Sequence, residues 1–206
     1  MIFKDKQIFN TFETLFNREK AHPDLKLNVY LAGPMEKEID YGMKWRDAVK
    51  YAFGNNMDII NPVDKERQDN STVDQAIANI RSVREQRDWI GLCKTIVPII
   101  HTDMNCVIES NFLIVKWDVD IESAGTISEV FYAWTMGIPL LVFLGNPLQH
   151  GQTSGHNVQN ISSWLLTLFL DNGIVFDNGF EEMITFINSN IKGDNNGNES
   201  DHRGVV

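Results

Sequence analysis

Cysteine is scarce in this chain, with only two among 206 residues, so there is no disulfide framework to stabilise a fold. We read Cys93 and Cys106 as free thiols of a reducing compartment. Long apolar runs are also absent, which argues against a transmembrane helix, and the first six residues lack the apolar core of a signal peptide. The sequence therefore predicts a cytoplasmic protein with no membrane partner.

Basic residues are few as well: 18 lysines and arginines stand against 28 acidic residues, which gives a formal net charge of −10. No basic cluster stands out, so we expect no nucleic-acid polymer as a partner. A small anionic ligand remains compatible with this charge, because backbone amides at a helix N-terminus can bind phosphate. His150 and His156 flank a Gly-rich loop without a carboxylate nearby, so we expect no metal, and no cofactor either.

Apolar residues make up 43% of the chain and charged residues 22%, which is typical of a soluble globular protein. Strand-like runs alternate with amphipathic segments, and this predicts the α/β class: a single doubly wound parallel sheet flanked by helices, Rossmann or flavodoxin-like with three layers. The predicted strands are Lys26–Ala32, Met57–Asn61, Phe112–Trp117, Pro139–Leu144 and Gly173–Phe176. The predicted helices cover residues 41–53, 71–92, 162–170 and 180–191, with Ser71 or Thr72 as the cap of the second.

The two ends of the chain differ from this pattern. Residues 1–24 read as an amphipathic helical extension, residues 25–192 as the α/β domain, and residues 193–206 as a disordered tail rich in Gly, Asn and Asp. The first helix, at about residues 7–18, has apolar side chains at helical spacing that are too many to leave in water: Ile8, Phe9, Phe12, Leu15 and Phe16. We expect it to pack on the domain or across a homo-oligomer interface.

Residues 94–110 are the least regular part of the pattern. Thr95–Ile100 is read as an edge strand, because Pro98 argues against a central one. A polar loop is expected at residues 64–70. The segment that follows Asp88 is therefore the one for which the sequence predicts the least.

The most informative segment is Ser123–Glu129, which opens a helix on a Gly-Thr turn. A predicted strand precedes it and another follows. In open α/β sheets, small ligands bind just outside the carboxyl ends of the strands, where such turns lie. Glu129 is therefore a candidate catalytic group, although a carboxylate there could also just complement the helix dipole.

Three further pieces can meet Glu129 at this edge of the sheet: Tyr30–Pro34, Arg87–Trp89 and Trp117–Asp118. In this order the four pieces resemble the nucleoside 2-deoxyribosyltransferase superfamily, including its 2'-deoxynucleoside 5'-monophosphate N-glycosidase branch. The resemblance covers about residues 27–144. The stretch between Asp88 and Asp118 is longer than in that superfamily, with an apparent insertion at residues 95–110.

The resemblance implies a role for each matching residue. Glu129 is similar to the nucleophile that attacks the anomeric carbon, and Asp88 to the acid that protonates the departing base. Tyr30 is similar to the tyrosine that hydrogen-bonds the nucleophile, and Gly33 to a glycine that lets the backbone approach the ligand. The chemistry itself requires two such carboxylates, since one stabilises the positive charge on the sugar and the other makes the base a better leaving group.

Ser123 separates the branches of the superfamily. The nucleoside-transferring enzymes resemble this segment but have Asp six residues before the nucleophile, whereas the monophosphate-hydrolysing branch has Ser, which contacts the 5'-phosphate. Gly125 and Thr126 would add donors at a helix N-terminus. Asp118 could bind sugar hydroxyls or only cap the loop after its strand.

The resemblance implies cleavage or transfer at the N-glycosidic bond of a nucleoside 5'-monophosphate or nucleoside, by a homo-oligomer. One alternative is a 2-deoxyribosyltransferase that exchanges bases, and another is a nucleotide-binding sensor without turnover. Two residues also have plain structural interpretations. Asp88 could be a solvated helix residue paired with Arg84, and Tyr30 could be an ordinary core tyrosine.

Overall fold

The computed structural model describes residues 1–3, 6–22, 24–35, 38, 40–66, 73–118, 121, 123–145 and 158–191. Its strands are β1 (Ile2–Phe3), β2 (Leu27–Ala32), β3 (Met57–Ile60), β4 (Phe112–Trp117), β5 (Leu140–Leu144) and β6 (Gly173–Phe176). Its helices are α1 (Lys6–Ala21), α2 (Met43–Phe53), α3 (Pro62–Glu66), α4 (Val73–Glu85), α5 (Trp89–Ile108), α6 (Ala124–Thr135), α7 (Ser163–Asp171) and α8 (Phe180–Ile191), with a short 3₁₀ turn at Val158–Asn160.

The strands form one six-stranded sheet in the order β1-β6-β5-β4-β2-β3. All neighbouring pairs run parallel except β1, which pairs antiparallel with β6 at the edge. The chain moves from β2 outward to β3, and then from β4 outward in the opposite direction to β5 and β6. The strand order therefore reverses between β2 and β4, and this is where doubly wound sheets bind ligands.

Two buried clusters of side chains cover the two faces of the sheet. One cluster joins the sheet to α1, α2 and α8, and the other joins it to α5, α6 and α7. A small third cluster, around Val63 and Ile77, lies under α3 and α4. This arrangement confirms the predicted fold class, a three-layer doubly wound α/β domain.

Alternation along β2 decides which face each of its side chains meets. Val29 and Leu31 belong to the cluster with α1 and α2, whereas Tyr30 and Ala32 belong to the cluster with α5 and α6. Tyr30 is consequently directed toward the helix that follows β4. This places the tyrosine on the same face as Glu129.

The N-terminal helix packs on the domain, which is the first of its two expected positions. Phe12 and Phe16 are fully buried, and both rings meet Phe112 of β4 edge-on, with centroids 5.7 and 6.0 Å apart. Aromatic pairs in this geometry contribute about 0.5–1.5 kcal/mol each beyond the area they bury. The helix is therefore part of the core that α8 and the sheet share.

The predicted helix at residues 71–92 is wrong as a single element, because it is interrupted at residues 86–88. Arg87 has a positive φ of 54°, which an α-helix cannot accommodate. Asp88 then caps α5, since its Oδ1 accepts a hydrogen bond from the Gly91 amide at 2.9 Å. The two predicted caps, Ser71 and Thr72, lie outside the described residues.

The predicted edge strand at Thr95–Ile100 is also wrong, because these residues lie inside α5. The hydroxyls of Thr95 and Thr102 donate to the carbonyls four residues earlier, of Gly91 and Pro98, as helical residues do. Pro98 is on an exposed side of the helix, so the hydrogen bond that it cannot make is lost next to solvent. A short apolar run with a proline cannot be distinguished from a strand by periodicity alone.

The remaining predicted elements agree with the structure to within two residues at either end, except the first helix, which ends three residues later than predicted, at Ala21. In the expected polar loop at residues 64–70, the first three belong to the short helix α3, and residues 67–70 lie outside the described part of the chain. His150, His156 and the tail at residues 193–206 also lie outside the described part of the chain. Among the described helices, none combines the length and the apolar character needed to cross a bilayer.

Candidate active site

A buried tyrosine–glutamate pair lies where the strand order reverses. The Tyr30 hydroxyl donates to Glu129 Oε1 at 2.7 Å, and the glutamate is only 8% exposed. Tyr30 is near the carboxyl end of β2, and Glu129 is in the second turn of α6, which follows β4. The helix buries Glu129 together with Thr126, Val130 and Ala133, because these positions recur at helical spacing on its inner side.

The environment of Glu129 favours the protonated acid unusually strongly. Burial raises the pKa of this carboxyl to about 7; the hydrogen bond from Tyr30 and the charge of Arg46 lower it, while the charge of Asp103 raises it. Burial also raises the pKa of Tyr30 well above its usual value, helped by the Glu129 charge. The tyrosine therefore stays protonated and donates, and the glutamate can gain or lose its proton near neutral pH.

Arg46 is a functional candidate that the sequence analysis missed. It is fully buried on α2, and its guanidinium donates to the carbonyls of Gly33 at 2.9 Å and Gly42 at 3.1 Å. It thereby fixes both ends of the segment that follows β2, and it brings positive charge toward Glu129. The spacing of Arg46 with the apolar Val49 and Phe53 could have revealed it, since all three share the buried side of one helix.

Gly33 is required for packing in this structure. A Cβ at this position would come within 2.7 Å of the Trp45 ring and 3.2 Å of Lys116 Cβ. On the same side, the buried Lys116 pairs with Glu38 from the segment after β2. The side of Gly33 on which a Cβ would stand is thus filled by a tryptophan ring, and the approach of its backbone to a ligand stays a prediction.

Asp103 is the second carboxylate near Glu129. Its charge raises the pKa values of both Glu129 and Tyr30, so it lies within electrostatic reach of the pair. It is half-buried on α5, three residues before the buried Cys106. The signal was present in the sequence, because Asp103 is the only acidic residue of α5, but assigning a strand just before it hid its position on a helix.

Asp88 lies elsewhere on the same helix. It is exposed and caps the N-terminus of α5. Fifteen residues of helix separate it from Asp103, which corresponds to about 22 Å. The structure thus brings the Tyr30 hydroxyl into a hydrogen bond with Glu129, and the charge of Asp103 acts on both, whereas Asp88 lies at the other end of α5.

Ser123 caps α6. Its Oγ accepts from the Thr126 amide at 3.3 Å and lies 2.8 Å from the Thr126 hydroxyl. Thr126 is buried, whereas Gly125 is exposed, and a Cβ atom at Gly125 would meet no atom of the described residues within 4 Å. Among the described residues, the first turn of α6 therefore has open space at Gly125, and amides of a first helical turn attract anions.

Asp118 follows β4 at the same edge of the sheet, half-buried, and its carbonyl accepts from the Ile121 amide at 3.2 Å. The indole N–H of the neighbouring Trp117 is buried and has no acceptor among the described residues. The side-chain amide N–H₂ of Asn61, which follows β3, is likewise buried without an acceptor there. Both groups are donors at the ligand-binding edge. Within the described part of the chain, no group of three or more His, Cys, Asp or Glu side chains could hold a metal ion.

No protein-family model matches the chain, and no curated protein matches it either. Among solved structures, the chain is similar to a conserved protein from Enterococcus faecalis V583, with 17% sequence identity and a TM-score of 0.48 over 80% of this chain and 99% of that one. A likeness of this size carries no conclusion about activity. We therefore infer the function from the residues of the site.

The raised pKa of Glu129 predicts a dependence of stability on pH. The folded state holds the proton up to about pH 7, whereas an unfolded glutamate releases it near 4.5. The stability that protonated Glu129 contributes is thus fully present below pH 4.5 and is lost as the pH rises through 7. The free energy of unfolding falls by an amount on the order of 3 kcal/mol over this range. We expect Glu129→Gln to raise the melting temperature at pH 8 by roughly 6–12 °C, and the gain to shrink toward pH 4.5. A gain that is the same at both pH values would contradict the raised pKa.

Proposed function

We propose that this protein cleaves or transfers at the N-glycosidic bond of a nucleoside 5'-monophosphate or nucleoside, with Glu129 as the nucleophile. The observation that carries the proposal is the Tyr30–Glu129 hydrogen bond, buried where the strand order reverses. A structural carboxylate rarely has a pKa near 7, whereas catalytic carboxylates often do. The ordered resemblance to the nucleoside 2-deoxyribosyltransferase superfamily supports the choice of bond.

The chemical steps use groups that this chain has. The Glu129 carboxylate attacks the anomeric carbon, the carbon–nitrogen bond breaks, and the base leaves with a proton from a second acid. Water then hydrolyses the sugar ester, which regenerates the carboxylate and returns a proton to that acid. In the transferase alternative, a second base takes the place of water.

We further propose that Asp103, rather than Asp88, is the second acid. The charge of Asp103 raises the pKa of Glu129, which supports a position for Asp103 on the Glu129 side of α5, and general acids must reach the atom that they protonate. Tyr30 would position the nucleophile, because its hydroxyl donates to Glu129 and keeps its proton. Arg46 would hold the segment after β2 in place, and its positive charge would stabilise the ionised form of Glu129.

The substrate's sugar and phosphate would lie between Asp118 and the first turn of α6. The open space at Gly125 and the helix N-terminus favour an anionic group there. The Ser123 hydroxyl accepts from the Thr126 amide, and it keeps a proton with which it could contact a phosphate oxygen. The substrate would be a small molecule, and the proposed steps need neither a metal nor a cofactor. They would take place in the reducing compartment that the sequence predicts.

The phosphate preference can be tested at Ser123 without loss of the helix cap. Gly costs a helix cap only a few tenths of a kcal/mol relative to Ser, so Ser123→Gly removes the hydroxyl at little cost to the cap, and Ser123→Asp keeps the cap and adds a negative charge. Losing a charge-assisted hydrogen bond of about 1.5–3 kcal/mol should raise the KM for a monophosphate roughly ten- to a hundredfold in Ser123→Gly. Ser123→Asp should raise it further and shift activity toward unphosphorylated nucleosides. An unchanged ratio of the two substrate classes in both variants would refute the phosphate role.

The proposed activity is tested by incubating the protein with a panel of nucleosides and 5'-monophosphates and measuring free base by chromatography. Release of base with free sugar or sugar phosphate would support a hydrolase. Exchange of a labelled base with the substrate would support the transferase alternative. Saturable binding of a nucleotide with no base release over hours would instead favour the sensor alternative and contradict the proposal.

A further inference from the structure

Two basic side chains are buried in the described part of the chain, although the protein carries a net charge of −10. They are Arg46, on α2, and Lys116, the second-last residue of β4. Both meet Gly33, which follows β2: Arg46 donates to its carbonyl, and Lys116 Cβ lies 3.2 Å from the place of its missing Cβ. Because removing a cation from water is costly, two buried cations at one glycine call for a specific explanation.

Lys116 is directed to the sheet face that α2 covers. Phe112 and Ile114 of the same strand belong to the cluster with α2, and strand residues two apart share a face. Helix α6 packs on the opposite face. The carboxyl ends of β2 and β4 adjoin where the strand order reverses, which is where open sheets bind ligands. The two basic residues therefore lie at this edge, but on the other side of the sheet from Ser123 and α6.

Hydrogen-bond donors outnumber acceptors around Lys116. Its ammonium has three N–H donors, and among the described residues its one partner is the carboxylate of Glu38, in the segment after β2. The Trp45 indole N–H is also buried, and it has no acceptor in the part of the chain that the structure describes. The Trp45 ring lies against Gly33 as well. Buried donors without acceptors are destabilising, so a group that supplies acceptors is expected to bind there.

Glu38 is the acceptor that can leave. It belongs to neither a strand nor a helix, and as a residue it is half-buried, whereas Lys116 is fixed in a central strand. A buried ion pair contributes little to stability, because lost hydration offsets the attraction. One oxygen of Glu38 accepts from Lys116, whereas a phosphate group has enough oxygens to accept from Lys116 and Trp45 together. Exchange of the carboxylate for a phosphate is therefore favourable at this place.

We propose that Lys116 and the Trp45 indole N–H bind a phosphate group, and that Glu38 occupies this place in the free protein. We call these three residues, with Arg46, the Lys116 corner. Phosphate binding displaces the Glu38 carboxylate to solvent, and the guanidinium of Arg46 adds positive charge nearby. The phosphate can be free or part of a nucleotide, and the test separates the two. The inference is independent of the proposed activity, because the test measures binding on the other face of the sheet from α6.

The probe is inorganic phosphate, titrated at constant ionic strength, and the readout is the indole ¹⁵N–¹H signal of Trp45. The chain has five tryptophans, so five indole signals are expected, and Trp45→Phe identifies the one that matters. This signal should move and saturate in the wild type. Glu38→Gln removes the internal competitor. If Glu38 occupies Lys116 for about 90–99% of the time, the affinity for phosphate should rise roughly ten- to a hundredfold in this variant.

Asp64→Asn is the matched control, since it neutralises the carboxylate of another ion pair, Lys50–Asp64, whose side chains are 34% and 39% exposed. It should leave the phosphate affinity unchanged. Lys116→Met removes the charge and should weaken binding about tenfold or more. Should Lys116→Met not fold, the comparison of Glu38→Gln with Asp64→Asn decides, because both variants keep the buried lysine.

Ser123→Asp separates the Lys116 corner from the first turn of α6, where the proposed activity places a phosphate. In this variant the Trp45 signal should respond to phosphate as in the wild type. A 2'-deoxynucleoside 5'-monophosphate and its nucleoside then identify the source of the phosphate. If the monophosphate saturates the Trp45 signal at a lower concentration than inorganic phosphate, and the nucleoside leaves it unmoved, the ligand is a nucleotide. If inorganic phosphate binds at least as tightly, the ligand is free phosphate.

Four outcomes would overturn the proposal. The first is a Trp45 signal that phosphate leaves unmoved in the wild type and in Glu38→Gln. The second is the same phosphate affinity in these two proteins, and the third is an unchanged affinity in folded Lys116→Met. The fourth is loss of the response in Ser123→Asp, which would place the anion at α6 and leave the proposed activity untouched.

Discussion

Glu129→Gln is expected to abolish base release, with turnover lower by about 10³-fold or more, while the substrate still binds. Glutamine keeps the size of the side chain and can accept the hydrogen bond from Tyr30, but its amide cannot attack the anomeric carbon. The measurement is free base released per unit time under saturating substrate. Binding is checked separately by calorimetry with the same substrate.

The matched control for this substitution is Glu19→Gln, which changes another buried glutamate, on the N-terminal helix. It should leave turnover close to that of the wild type. If Glu129→Gln kept more than about a tenth of the wild-type rate, the carboxylate would not be the nucleophile. Equal losses in both variants would point to general damage to the fold.

Asp103→Asn is expected to give the second largest effect, a loss of roughly 10²–10⁴-fold for substrates with poor leaving groups. The reason is that an unprotonated base departs slowly, so the proton from Asp103 matters most where the base is least activated. Substrates with activated bases should lose far less. The ratio of the two rates measures the role of the acid, and a purely structural role would lower both rates alike.

Asp88→Asn is the matched comparison, because the sequence assigned Asp88 the same role and asparagine caps a helix as well as aspartate does. We expect this variant to retain the wild-type ratio between poor and activated leaving groups. If Asp88→Asn lost that ratio and Asp103→Asn kept it, the assignment from the sequence would be right and the one from the structure wrong.

The central part of the fold could be predicted from the sequence because its signals are local. The buried strand β4 is a continuous apolar run, and Ser123 caps the helix that follows it. Glu129 could be found for the same reason, since a carboxylate just after a Gly-Thr turn at a strand end stands out without any knowledge of its partners. Tyr30 could be found because it lies near the end of a strand. Its hydrogen-bond partner Glu129 is 99 residues away in the sequence.

The parts that could not be predicted depend on distant contacts. The edge strand β1 is only two residues long and exists because β6 offers it a partner. Helix α5 was misread because its β-branched run and Pro98 are typical of a strand, and because its apolar side faces solvent in the single chain. With that helix missing, Asp103 had no predicted position near Glu129, and the acid was assigned to Asp88 from the family resemblance alone.

The most direct test of the account is the covalent intermediate itself. A 2-fluoro substrate analogue slows both breakage and hydrolysis of the sugar bond, so the sugar ester should accumulate on the nucleophile. After incubation and proteolysis, mass spectrometry should find the added sugar on the peptide that contains Glu129, and should not find it in Glu129→Gln. Base release without an adduct on that peptide, or with the adduct on another residue, would contradict the central claim.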